Sequence, residues 1–213
     1  MAAATRYDQQ AAKGKFIAVY PNSASNLWDS GTGHTAVDLT FISRLLDQLT
    51  IDFRIDQTRI FAAGLSSGAM MAYRLACQLS DRIVAIASVA GALRTDDCSP
   101  SKPVSILEMH GTFDATVPYA GDSFFPSTTS TIQRWVALDG CPGKPAQTAS
   151  GITTTSVWTD CRSGTVVRLD TIERGQHVWF STDPALRGAQ SVAGEPDATH
   201  GTWEFFTNLA PRT

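Results

Sequence analysis

The run Gly64-Leu65-Ser66-Ser67-Gly68 sets a serine between two glycines, each two positions away. Such a serine can serve as a nucleophile where the backbone turns so tightly that its hydroxyl is pushed clear of the chain. Glycines at those flanks remove the Cβ clashes that would forbid the turn. A serine hydroxyl is a weak nucleophile until a base takes its proton and an acid orients the base. Candidates for both lie downstream: Asp114, in His110-Gly111-Thr112-Phe113-Asp114-Ala115-Thr116-Val117-Pro118-Tyr119, and His177, in Arg174-Gly175-Gln176-His177-Val178-Trp179. Together they would support nucleophilic acyl transfer. Taken singly, the first two have plainer readings: a solvated serine in a Gly-rich turn and a turn-forming aspartate.

The elements around them decide whether the three can meet. Arg59–Ala63 reads as a strand that runs directly into Gly64, and residues 68–79 read as a helix with Ala69, Ala72, Leu75, Ala76 and Leu79 inward. That is the strand-turn-helix setting in which G-x-S-x-G carries meaning. The serine then stands at a helix N-terminus, where the dipole and free N–H groups favour developing negative charge. Ile83–Val89 and Val104–Met109 are buried strands, and Asp114 lies just beyond the second. His177 follows by five residues a strand ending at Ile172. Lys15–Tyr20 reads as a further strand ending at Pro21, residues 36–50 and Thr131–Leu138 as helices, and residues 199–209 as a last helix. Thr153–Thr159 and Thr165–Ile172 suggest a hairpin around Asp160–Gly164, and residues 139–156 a long loop.

Strands separated by helices imply an α/β fold: a mostly parallel sheet of about five strands with helices on both faces, in one domain spanning 1–213. In such sheets ligands bind at the carboxyl ends of the strands. Ser66, Asp114 and His177 all follow strands and so share that edge. Their chain order, Ser then Asp then His, is the α/β-hydrolase order and differs from that of two familiar protease folds.

The remaining histidines and acids are weaker candidates. His34 reads as a loop residue, His110 as a buried, hydrogen-bonded strand end beside the site, and His200 as a surface or capping residue. Asp96, Asp97 and Asp122 are alternative acids less well placed relative to strand ends. Hydrophobic residues make up 43% and charged residues 17%, which indicates a globular chain. With a net charge of −3 and no basic run, nucleic acid and anionic membrane surfaces are not expected partners. No apolar stretch approaches the roughly 20 residues of a membrane-spanning helix.

The four cysteines fall as two pairs, Cys77 with Cys98 and Cys141 with Cys161. Each pair would close a loop of about twenty residues and stabilise by roughly 3 kcal/mol as a disulfide. Four reduced thiols are the other reading, since Cys is often simply buried. No C-x-x-C or His/Cys cluster points to a metal, and the acyl-transfer chemistry implies no cofactor. A charged n-region followed by an apolar run, as in a secretory leader, is not read at the start.

Taken together, Phe16–Pro21, Ile55-Asp56 leading to Arg59–Met70, Ala87–Ala92, His110-Gly111-Thr112 with Asp114, Val117-Pro118-Tyr119, Trp135 to Cys141, Cys161, and Gly175–Trp179 resemble the polyhydroxybutyrate depolymerase and feruloyl/acetylxylan esterase group of α/β-hydrolases. The resemblance runs over nearly the whole chain. It implies Ser66, Asp114 and His177 as a catalytic triad, disulfides Cys77–Cys98 and Cys141–Cys161, and an extracellular enzyme acting on polymer-linked esters. Aromatic esters or polyesters (feruloyl esters, polyhydroxybutyrate, terephthalate-type polyester) are the expected substrates. Trp28, in Asn26-Leu27-Trp28-Asp29, and Trp179 are aromatic candidates for contact with them, or for the core.

The chain departs from this group in two places. Its relatives carry Gly-Gly-Gly-His where this chain has Arg174-Gly175-Gln176-His177, so the loop presenting the base is stiffer. The strands that usually come before residue 15 are not read, nor is their His-Gly segment, which gives a truncated α/β-hydrolase fold. Of the two oxyanion donors, only the Ser67 N–H carries over. The strands at 15–20 and 59–63 are then expected to pair directly, leaving Phe16–Tyr20 near an edge that invites a homodimer. Other readings stay open: a non-catalytic binding domain on a degenerate hydrolase fold, or an acetylxylan esterase, thioesterase or peptidase on the same scaffold.

Overall fold

The computed structural model describes residues 5–25, 27–31, 36–95 and 97–211. In chain order it contains α1 (Tyr7–Gly14), α2 (Val37–Asp52), β1 (Phe61–Leu65), α3 (Ser67–Gln78), β2 (Ala85–Val89), β3 (Ser105–Gly111), α4 (Thr128–Leu138), β4 (Ala146–Ser150), β5 (Thr153–Trp158), β6 (Val167–Ile172) and α5 (Ala198–Asn208). The strands form one six-stranded sheet in the order β1-β2-β3-β6-β5-β4. β1, β2, β3 and β6 pair in parallel, while β5 and β4 are added antiparallel. No helix among the described residues is long and apolar enough to cross a membrane.

The central strands are buried along their whole length, as a sheet covered on both faces requires. Side chains alternate between those faces. Ile106 of β3 joins a core with Ile42, Tyr73, Ile86, Trp135 and Trp158 under α2, α3 and α4. Leu107 and Met109 join a second core with Trp179, Phe180, Phe205 and Phe206 under α5. α3 begins immediately after β1, and nine of its residues, from Ala69 to Cys77, are buried. Disulfides join Cys77 to Cys98 and Cys141 to Cys161, both as expected.

Three expectations about the fold need correction. Residues 15–20 belong to no strand. A β-prone segment becomes a strand only where a neighbour offers a hydrogen-bonding edge, and this one turns to helices instead. Lys15 ends α1 in the left-handed region at φ 56°, Phe16 stacks on Trp203 with ring centroids 4.2 Å apart, and the Tyr20 hydroxyl accepts from the Asp8 amide at 3.1 Å. The expected pairing with the strand at 59–63 is therefore not formed, and the edge of the sheet on that side is β1 itself. The loop expected over 139–156 contains β4, whose five residues are all exposed and carry no apolar pattern. The sheet accordingly has six strands rather than about five. The hairpin around 160–164 is formed, joining β5 to β6.

Candidate active site

The register of the parallel strands sets Leu65, Val89, Met109 and Asp170 side by side, so β1, β2, β3 and β6 all deliver their following loops to one edge. Ser66 is the first residue past β1. Its backbone has φ 56° and ψ −120°, a conformation that costs an L-residue energy and persists only where the surroundings impose it. They do so on two sides. The Ser66 N–H donates to the Val89 carbonyl at 3.0 Å and its carbonyl accepts from Met70 at 2.9 Å, tying strand to helix across one residue. A Cβ on Gly64 would lie 2.3 Å from the Gly68 carbonyl carbon, so this turn closes only on a glycine. Ser67 opens α3, and the first N–H groups of a helix have no acceptor within it.

The second half of the site is a corner between the loops after β3 and β6. Thr112 N–H donates to the Ile172 carbonyl, Phe113 N–H to the Gly175 carbonyl, and Arg174 N–H to Thr112 Oγ1, each at 2.9 Å. The loops touch so closely that a Cβ on Gly111 would sit 2.1 Å from the Gly175 carbonyl oxygen. This contact holds Asp114 and His177 together: His177 Nδ1 lies 2.8 Å from Asp114 Oδ2. Asp114 is buried, and its Oδ1 accepts from Thr116 N–H at 2.9 Å and Val117 N–H at 2.8 Å. Burial alone would raise the Asp114 carboxyl. Hydrogen bonds from His110 and His177 outweigh it and hold the group well below the usual carboxylate range. A carboxylate that bonds Nδ1 leaves Nε2 of His177 as the free base position, the tautomer that acyl transfer requires.

Among the other candidates, Asp97 is exposed, and exposed Asp122 closes a turn by accepting from Phe124 and Phe125 N–H; neither forms a hydrogen bond with His177. His34 and Asp96 lie outside the described residues. His200 is exposed on α5, whose N-cap is Asp197. His110 is buried and hydrogen-bonded beside the site, as expected. Trp28 is partly buried and packs next to Gly68, two residues from Ser66; an added Cβ there would meet the indole at 4.0 Å. Trp179 needs correction as a substrate contact. It is buried in the α5 core, where its indole N–H donates to Thr199 Oγ1 at 3.0 Å and its ring meets Tyr7 edge-on. The chain bends at His177 and Val178, and this carries Trp179, two residues on, away from the base and into the α5 core.

Glu108 was not singled out from the sequence, yet it is a fully buried carboxylate in the middle of β3. The available signal was an acidic residue inside an apolar strand, two positions before His110 and therefore on the same face.

A strained serine between strand and helix, with an Asp–His pair at the same edge of a mostly parallel sheet, defines an α/β-hydrolase fold. The acetyl xylan esterase from Aspergillus awamori shares that fold, with a TM-score of 0.71, 15% identity and 96% of this chain and 82% of that one covered. The model of the Phospholipase/Carboxylesterase family matches residues 33–146, more than half of the chain, which therefore belongs to that family. Among curated relatives, feruloyl esterase B of Piromyces equi is 32% identical over 165 residues, covering 70% of this chain and 31% of its own length. The probable feruloyl esterase C of Aspergillus niger is 29% identical over 199 residues, covering 92% of this chain and 66% of its own length. The chain thus spans less than two thirds of either relative.

Proposed function

We propose that this chain is a serine carboxylic-ester hydrolase that works through an acyl-enzyme on Ser66, with feruloyl esters or related aromatic and polyester carbonyls as substrates. The observation that carries the reading is the strained Ser66 at the head of α3, on the same sheet edge as an Asp114–His177 hydrogen bond of 2.8 Å. His177 takes the Ser66 proton as the hydroxyl attacks the ester carbonyl, and Asp114 stabilises the imidazolium that forms. The Ser67 N–H faces the oxyanion; one such donor is worth about 10²–10³ in rate. His177 then protonates the leaving alcohol, and water repeats the sequence on the acyl-enzyme.

The substrate class is supported by the feruloyl esterase names of the two relatives, and Trp28, partly buried against the core with its indole beside Gly68, is the aromatic side chain placed to border the acyl group. Two disulfides suit an oxidising compartment, and we place the enzyme outside the cell. Hydrolysis of p-nitrophenyl acetate and butyrate, then of methyl ferulate and polyester films, tests the proposal beside Ser66→Ala. Turnover by the wild type and a loss of about 10⁴-fold or more in the variant is the expected result. A folded wild-type protein no faster than Ser66→Ala would overturn it and favour a binding domain.

A further inference from the structure

We propose that His110 is a buried imidazolium which, clamped by Glu108, acts as a positioning residue that keeps Asp114 ionised and aimed at His177. The role rests on the esterase reading; the charge assignment rests on the hydrogen-bond geometry around the ring. His110 Nε2 lies 2.9 Å from the Val117 carbonyl oxygen, which can only accept, so Nε2 carries a proton. The same nitrogen faces Asp114 Oδ2 at 3.4 Å. On the other side, Nδ1 lies 2.8 Å from Glu108 Oε1. That oxygen also accepts from Gly91 N–H at 3.3 Å, and Oε2 accepts from the Tyr73 hydroxyl at 2.9 Å. Both oxygens of Glu108 are thus satisfied as a carboxylate, and Nδ1 donates as well.

The groups facing His110 come from every side. Glu108 lies on its own strand and Tyr73 on α3 reaches it through Glu108. Asp114 and Val117 come from the loop after β3, and the Tyr119 ring from the same loop meets the imidazole edge-on at 5.8 Å. None of these supplies a second cation. Burial works against a charge on His110, but the hydrogen bonds with Asp114 and Glu108 outweigh it and lift the imidazole to about 10. An isolated carboxylate removed from water tends to neutralise. Asp114 must remain ionised to fix the His177 tautomer, and the adjacent imidazolium supplies the compensating charge. Two backbone N–H donors on Oδ1 fix the Asp114 carboxylate and leave Oδ2, which His110 faces at 3.4 Å, to accept from His177.

The test is a titration of protein carrying ¹⁵N-histidine and ¹³C-aspartate, followed by NMR. Both ring nitrogens of His110 are expected to stay protonated up to about pH 9. The double variant Glu108→Gln/His110→Gln removes both charges at nearly constant volume and avoids stranding Glu108 as an unpaired buried anion. In it the Asp114 midpoint should rise by about one unit or more, because His110 is the nearer charge. Turnover of p-nitrophenyl esters should fall about tenfold or more in kcat with KM unchanged, as for outer residues that orient a reacting group. His110 titrating to the neutral form near or below about pH 7, or an unmoved Asp114 midpoint in the folded double variant, overturns the proposal. Should the wild type hydrolyse no ester, the esterase reading fails separately, and the two titrations still decide this one.

Discussion

After β1 the chain is held by steric exclusion. Ser66 sits at φ 56° because strand and helix meet across it, and Gly64 leaves no room for a Cβ against Gly68. At the corner between the loops after β3 and β6 the backbones also meet closely, at Gly111 and Gly175, and hydrogen bonds and charge are added to that contact. Three 2.9 Å bonds join the two loops, and Asp114 accepts from Thr116, Val117 and His177 while facing His110. The difference follows from what each region must present. A nucleophile needs one atom fixed in one direction, and a strained backbone with no alternative does that. An acid and a base must keep their charges and tautomers defined, which takes donors and acceptors rather than clashes.

Glycine substitutions probe that contrast with the largest expected effects. Gly64→Ala drives a Cβ to 2.3 Å from the Gly68 carbonyl carbon, and Gly111→Ala drives one to 2.1 Å from the Gly175 carbonyl oxygen. Each should cost about 3 kcal/mol of stability in denaturant titration and about 100-fold or more in ester turnover. They should differ in the NMR signal of the His177 Nδ1 proton bonded to Asp114. Gly111→Ala separates the two loops and loses it; Gly64→Ala disturbs only the serine and keeps it. A signal lost in both variants would show that the two regions form one cooperative unit.

Replacing Cys141 and Cys161 together by Ser sharpens the comparison from outside. Their disulfide, across a sequence separation of 20, joins the end of α4 to the approach to β6, at the end of the sheet away from the site. Its loss should lower stability by about 3 kcal/mol while kcat below the melting transition stays unchanged. A drop in kcat as well would mean that the position of His177 depends on the anchoring of β6 at its other end.

These regions also differ in how far they can be read from the chain. The elbow was legible as a whole, because Gly64-Leu65-Ser66-Ser67-Gly68 is contiguous and its flanking strand and helix carry strong apolar patterns. Asp114 and His177 were legible as positions after strands, but not the loop-to-loop bonds that join them, which are set between residues some sixty positions apart. Glu108 escaped notice because burial hides a charge whose partners, Tyr73 and Gly91, lie on other elements. β4 escaped because an edge strand exposed at all five positions needs no apolar alternation. The strand expected at 15–20 erred in the other direction: Phe16 and Tyr20 found partners on helices before any sheet edge claimed them.

The smallest expected effect lies at Arg174, the one place where the corner tolerates strain of the kind seen at the elbow. Its φ of 58° is in the left-handed region, and its N–H is held by Thr112 Oγ1 at 2.9 Å. An L-residue there gives up roughly 1–2 kcal/mol, whereas glycine adds about 0.5–1 kcal/mol of unfolded-chain entropy to be overcome. Arg174→Gly should therefore raise stability by less than about 1 kcal/mol, seen as a higher denaturant midpoint at constant m, with turnover unchanged. A fall in stability would assign the arginine side chain a part in holding the corner. A fall in turnover without one would show that stiffness in this loop, beyond the hydrogen bonds that join it to Asp114, sets where His177 stands.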